Sequence, residues 1–214
     1  MRIRTSAAAC VVAALTVSFM SAPAHAASAP KPGASCMMSG ESRIVNGRTF
    51  VCEQGADGST WSKGLKRTAS ALQIEDQWVK AAESGMTAAF GVITNPTSKS
   101  IRIIGARSPR FAGVMQLHEV AMKDGAMQMM EKQGGFVVPA GESIVLKPGG
   151  DHLMFMQMRQ PIDAGEMVPI TLITSDGGQL RFSAMGRVFA GANEDYDDNG
   201  GGMNHGGMNH GGMS

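Results

Sequence analysis

Aromatic side chains are scarce in this chain: 8 Phe, 2 Trp and 1 Tyr among 214 residues. Charge is sparse as well, 17% of residues, and balanced at 19 Lys+Arg against 18 Asp+Glu. That balance, with the basic residues scattered, argues against a nucleic-acid surface, which shows itself as a basic patch or stripe. Three cysteines are too few for a disulfide-dense scaffold. No stretch reaches 18 consecutive apolar residues, so no membrane-spanning helix is expected. The sequence also lacks GxSxG, HExxH and any phosphate-cradling glycine loop, and holds only five His. It therefore offers little nucleophilic or general-base machinery, and a non-enzyme is the favoured expectation.

Methionine is abundant instead. Eighteen Met outnumber the eight Leu and exceed all the aromatics together. Leucine is ordinarily the commoner core residue, so thioether sulfur has been favoured over hydrocarbon. With 43% hydrophobic residues the chain can build a core, and its length suits one domain with additional segments.

The N-terminus reads as an export signal. Arg2 and Arg4 precede an apolar run at 7–20, and Ala24-His25-Ala26 supplies a small-residue cleavage site. Cys10 lies early inside the apolar run, which argues against lipoprotein cleavage there. Removing residues 1–26 would take away two positive charges and turn the net charge from +1 to −1. A soluble periplasmic protein is expected, with no stable membrane insertion and a monomeric state.

Cys36 and Cys52 then remain, in a compartment where disulfides persist. Between them Asn46-Gly47, the dipeptide of type I′ hairpins, separates two short β-type runs, with Trp61 as a lid for the hairpin's apolar face. A disulfide is preferred over a soft-metal site built on Cys36, Met37, Met38 and Cys52. The hairpin segment is assigned to 27–62. Gly, Ser, Lys and Thr make 53–70 look linker-like, with the linker proper at 63–71. From 72 to 189, β-type runs at 87–94, 100–106, 114–121, 143–146, 153–158, 167–174 and 179–188 alternate with Gly/Pro/Asp/Asn turns. The fold class expected is all-β, an antiparallel sandwich. The end of the chain, 190–214, is acidic at 194–198 and then repeats Gly-Gly-Met-Asn-His with period five. So glycine-rich a tail is expected to be disordered without a ligand.

His152 and Met154 lie two apart on a β-run, so they share a face with Cα atoms roughly 7 Å apart. His118 sits on another run, followed beyond a turn by Met127 and Met129. If the two runs meet, His118, Met129, His152 and Met154 form a set of two imidazoles and two thioethers. Such a soft, neutral set selects Cu(I) over Zn(II), Mg(II) or Ca(II). Taken singly, Met115, Met167 and Met185 read as core filler; Met122, Met130, Met156 and Met158 read as filler or reserve ligands. The tail repeats the chemistry in Met203, His205, Met208, His210 and Met213, a candidate second copper site, for Cu(II).

Leu117-His118-Glu119, Met127-Gln-Met129, Val138-Pro-Ala-Gly141 and the run from Leu146 to Met154 resemble the periplasmic copper chaperones of the PCu(A)C family. Gln77-Trp-Val-Lys80 and 88–95 look like that family's opening strands. The resemblance covers 72–189. The family pattern is a His, ten residues, a Met, twenty-one residues and His-x-Met. Here His118 to Met129 keeps the first gap, while Met129 to His152 has one residue more, placed in the loop at 130–135; Met130 keeps the second gap and breaks the first. Asp151 stands where the family often has an aromatic. The resemblance implies a cupredoxin-like sandwich with an exposed Cu(I) site. It also implies delivery of copper to the Cu(A) centre of cytochrome c oxidase subunit II or to a thioredoxin-like copper chaperone.

The expected function is thus a periplasmic copper metallochaperone, with affinity weakening in acid as imidazole charges near pH 6.5. Copper sequestration without delivery is the nearest rival. A copper redox protein cycling Cys36 and Cys52, and an adhesion module with core methionines, are further ones.

Overall fold

The computed structural model describes residues 29–123 and 125–191; the expected export signal at 1–26 and the tail residues Met203, His205, Met208 and His210 lie outside them. No helix occurs among the described residues, and fifteen strands carry the fold.

The N-terminal strands are β1 (Ser42–Val45), β2 (Arg48–Gly55), β3 (Gly58–Trp61) and β4 (Leu65–Lys66), with β2 pairing β1, β3 and β4. Asn46 and Gly47 have φ of 50° and 71°, the left-handed pair that a type I′ turn requires. Cys36 and Cys52 are bridged, and Phe50, Cys52 and Trp61 form a small buried cluster with Cys36 and Val45 against it. The stretch at 53–70 that reads as linker-like is ordered into strands: its glycines serve a tight turn and close approaches. Beyond β3 and β4 it holds β5 (Thr68–Ala69), which pairs in parallel with the last strand.

The remaining strands are β6 (Gln73–Lys80), β7 (Thr87–Thr94), β8 (Ile101–Arg107), β9 (Ala112–Lys123), β10 (Ala126–Glu131), β11 (Phe136–Val138), β12 (Ser143–Leu146), β13 (His152–Met158), β14 (Met167–Thr174) and β15 (Gly178–Arg187). Hydrogen bonds run β10-β9-β13-β7-β6-β15-β14-β8-β11, with β12 also on β7. The expected all-β sandwich is therefore what the chain forms. Not every pairing is antiparallel: β15 runs parallel to β6, matching Met185 to Trp78, as well as to β5. Strand β7 turns the corner, pairing β13 through 87–89 and β12 through 91–94. Between the layers lie Phe111, Met115, Leu117, Phe136, Leu153, Phe155, Ile170 and Leu172, all buried.

The N-terminal hairpin rests on this sandwich. Val51 and Leu65 form a buried cluster with Ile104 and Ile173. Glycine permits the contact at two points. A Cβ on Gly105 would lie 2.8 Å from Val51 Cγ1, and one on Gly40, whose φ is 79°, would lie 2.2 Å from the Met115 carbonyl oxygen.

Candidate metal site

His118 and His152 are directly opposite each other on β9 and β13, and their ring centroids are 5.5 Å apart. Alternation along β13 puts Met154 on the same face, opposite Gln116 of β9 and diagonal to His118. The rings are 0% and 1% exposed and Met154 6%. Because β9 and β10 form a hairpin with Lys123 opposite Ala126, the rows continue onto β10: Glu131 opposes His118, Met129 opposes Val120, and Met127 opposes Met122. Met129 therefore shares the His118 face, whereas Met130, opposite Glu119, is on the other one. Three of the four candidate core residues, His118, His152 and Met154, are immediate neighbours. Met129 is the outlying one, diagonal to His118 on the side away from Met154.

Local chemistry fixes the two rings. Pro148 and Gly149 occupy the centre of a tight turn in which the Gly150 N–H donates to the Lys147 carbonyl at 3.1 Å, with Gly149 at φ 72°. The Gly150 carbonyl, thus placed, accepts from His152 Nδ1 at 2.8 Å. A carbonyl can only accept, so Nδ1 carries a proton, and the tautomer able to coordinate has its lone pair on Nε2. On His118, Nε2 lies 2.9 Å from Gln116 Oε1. The Gln116 amide nitrogen donates to the Ser39 carbonyl at 3.2 Å, which turns Oε1 towards His118 as an acceptor. His118 accordingly holds its proton on Nε2 and its lone pair on Nδ1. Burial, reinforced by His152, lowers the His118 pKa from 6.5 to about 3, keeping the ring neutral and able to coordinate.

The flanks differ in character. On the hairpin side, Glu131 accepts a short hydrogen bond from the Ser39 hydroxyl, and burial raises its carboxyl pKa although that bond works against the shift. On the other side the Phe90 ring is 6.2 Å from His152, Trp78 packs on Phe90 at 4.5 Å, and Phe189 meets Trp78 at 5.3 Å. Asp151 pairs with Lys132, which donates to it at 3.2 Å and to Glu119 at 2.6 Å. Burial works to lower the Lys132 pKa, but the hydrogen bonds and charges of both carboxylates outweigh it and raise the value. That ion pair ties the end of the β9–β10 hairpin to the turn before His152.

Ser39, Gln116 and Glu131 escape sequence reasoning. Gln116 and Glu131 stand two residues from His118 and Met129, so alternation marks them as face-sharing; nothing in the sequence marks Ser39. Among the described residues no group of three or more His, Cys, Asp and Glu gathers as a metal site. A metal at the His pair would draw its further donors from thioethers, which suits a soft ion.

The sequence pattern of the family described as "Putative lipoprotein LpqE-like" matches residues 72–185. The chain belongs to this LpqE-like family. A protein of Leifsonia xyli subsp. xyli bearing the same kind of lipoprotein name is 43% identical over 130 residues, 61% of this chain and 78% of its own length. An uncharacterized protein of Rickettsia prowazekii is 23% identical over 93 residues, 44% of this chain and 51% of its own. Among solved structures, the copper-bound PCuAC domain from PmoF2 is similar at 19% identity, covering 56% of this chain and 96% of that domain with a TM-score of 0.46. The solution structure of CuI-DR1885 from Deinococcus radiodurans has 31% identity, 56% and 81% coverage and a TM-score of 0.42.

Proposed function

We propose that this chain is an exported copper chaperone that holds Cu(I) with His118, His152 and Met154, joined by Met129. The observation that carries the reading is the His118–His152 pair, opposed across adjoining strands with Met154 on the same face and each ring held in one tautomer. Two imidazole nitrogens with thioether sulfurs suit Cu(I) as cargo. The copper in PmoF2 and DR1885 belongs to those proteins; here the reading rests on this chain's own residues.

Transfer would proceed by ligand exchange, with no bonds made or broken in a substrate, so no enzyme activity is assigned. The face supports an outward path: Met129 lies one row from His118, and the opposed Met127 and Met122, 59% and 67% exposed, lie one row further. The tail residues Met203, His205, Met208 and His210 take a second copper, as Cu(II). The chain functions as a monomer in the periplasm after removal of 1–26. Its parts are a stapled hairpin at 27–62, a connection at 63–71, the copper domain at 72–189 and the tail at 190–214. The recipient is the Cu(A) site of cytochrome c oxidase subunit II or a thioredoxin-like copper chaperone.

Titration of the full chain with Cu(I) against a competing chelator tests the core site. One tight equivalent is expected, lost in His152→Ala and weakened in Met154→Leu. Retention of that equivalent in both variants sinks the assignment. The rival reading, sequestration, draws on the Met/His repeats of the tail and predicts that copper-loaded protein transfers nothing to an apo Cu(A) fragment.

A further inference from the structure

A second concentration of functional groups lies away from the histidines. Arg107 of β8 and Arg181 of β15 flank Thr171 of β14 in one row, and the next row on that face is Gly105, Ile173, Gln179. Two like charges so placed repel. Arg67, between β4 and β5, approaches the same spot: its Nε donates to Gln179 Oε1 at 3.3 Å while Arg181 Nη2 donates to that oxygen at 3.1 Å. The Gln179 amide nitrogen in turn donates to Thr49 Oγ1 of the N-terminal hairpin at 3.2 Å, which aims Oε1 at the two cations. One neutral oxygen thus serves two guanidinium groups.

No carboxylate among the described residues pairs with them. Among the described residues the ion pairs are Arg43–Glu41, Arg110–Glu166, and Lys132 with Glu119 and Asp151, none of them involving these three arginines. Arg107 Nε is buried with no hydrogen-bond partner among the described residues. Burial first, and then the charges of Arg67 and Arg181, lower the Arg107 pKa. A concavity of about 490 Å³ opens here, lined by Gly47, Arg67, Thr68, Ala69, Gln179 and Arg181. A solitary exposed arginine is ordinarily just solvated. Three without a paired carboxylate among the described residues, two of them sharing one acceptor beside a cavity, cost stability, and a bound anion would remove that cost.

We propose that this concavity between the N-terminal hairpin and the sandwich binds a phosphate-class oxyanion through Arg67 and Arg181, with Arg107, in one row with Arg181 across Thr171, adding its charge. A tetrahedral oxyanion offers several oxygens, enough for forked guanidinium donors arriving from different strands, where a planar carboxylate offers two. Free phosphate and a phospholipid headgroup present the same chemistry. The site is independent of the copper reading, since none of its residues belongs to the His118 face.

The full chain is melted with inorganic phosphate and with chloride at matched ionic strength, and phosphate binding is followed by NMR titration. Expected are a saturable rise in Tm with phosphate only, and at least a tenfold weaker phosphate affinity in Arg181→Gln. That variant is also expected to melt higher than the parent without phosphate, because a repelling charge is gone. Arg67→Gln, outside the core, serves in the same way if Arg181→Gln does not fold. Co-sedimentation with phosphatidylglycerol vesicles, competed by phosphate, identifies a headgroup as the source; phosphate binding without co-sedimentation identifies the free ion. The absence of saturable binding, or unchanged affinity in the arginine variants, overturns the proposal.

Discussion

His118 is held neutral by burial, with its pKa lowered to about 3. In the unfolded chain the ring takes up its proton near 6.5. Between those two values the unfolded state binds a proton that the folded state refuses, so stability falls as pH drops through this window and is unaffected by this group above it. The apoprotein is expected to lose a few kcal/mol of stability between pH 7 and pH 4 through this group, seen as a falling Tm; His118→Asn should flatten that dependence. The sequence-based expectation of copper loss near pH 6.5 therefore does not apply to His118, which does not compete with protons there. The same ring depends on Gln116. Gln116→Leu removes both its acceptor and the anchor to Ser39, and a loss of 10–100-fold in Cu(I) affinity is expected, of the order seen when outer partners of metal-ligating histidines are removed. Gln116→Glu keeps an oxygen for His118 Nε2 and should recover part of the loss. Imidazole ¹⁵N shifts would reveal a mere packing defect, since they would then still report the Nε2–H tautomer in the leucine variant.

Among the elements, the β9–β10 hairpin sets which methionine shares the face of the histidines. Side chains alternate across a strand, so Met129 shares the face of His118 and Met130 the face of Glu119. Met129→Leu is expected to weaken Cu(I) binding and Met130→Leu to leave it nearly unchanged, measured by chelator competition. Equal effects of the two would refute the register argument. The sequence gaps alone admitted either residue, because counting residues says nothing about which face a position occupies until its partner strand is known. The hairpin tip offers a second test. Met122→Leu with Met127→Leu should slow copper transfer to an acceptor while leaving affinity intact, as both lie beyond Met129 from the histidines.

At the scale of the whole molecule, the N-terminal hairpin and the sandwich are interlocked. The Gly40 N–H donates to the Cys52 carbonyl at 2.8 Å, and the neighbouring Ser39 supports Gln116 through its carbonyl and Glu131 through its hydroxyl. Replacing Cys36 and Cys52 with Ser opens a loop of 16-residue separation, and a stability loss of about 3 kcal/mol is expected from the added unfolded-chain entropy. Cu(I) affinity should drop with it, because the residues behind His118 lose their anchor. Thermal melts and chelator competition on the same sample check both.

Much of this was legible in one dimension. The period-two runs at 87–94, 143–146 and 167–174 coincide with β7, β12 and β14, and Asn46-Gly47 with the first turn, because side-chain alternation and left-handed φ are local properties of a chain. Local, too, is the pairing of His152 with Met154 on one face. The contact of His118 with His152, the exclusion of Met130 from their face, the parallel alignment of β6 with β15, and the gathering of Arg67, Arg107 and Arg181 are products of long-range pairing. They depend on which strands become neighbours and in what register, and that is decided by the burial of one common core rather than by any short segment.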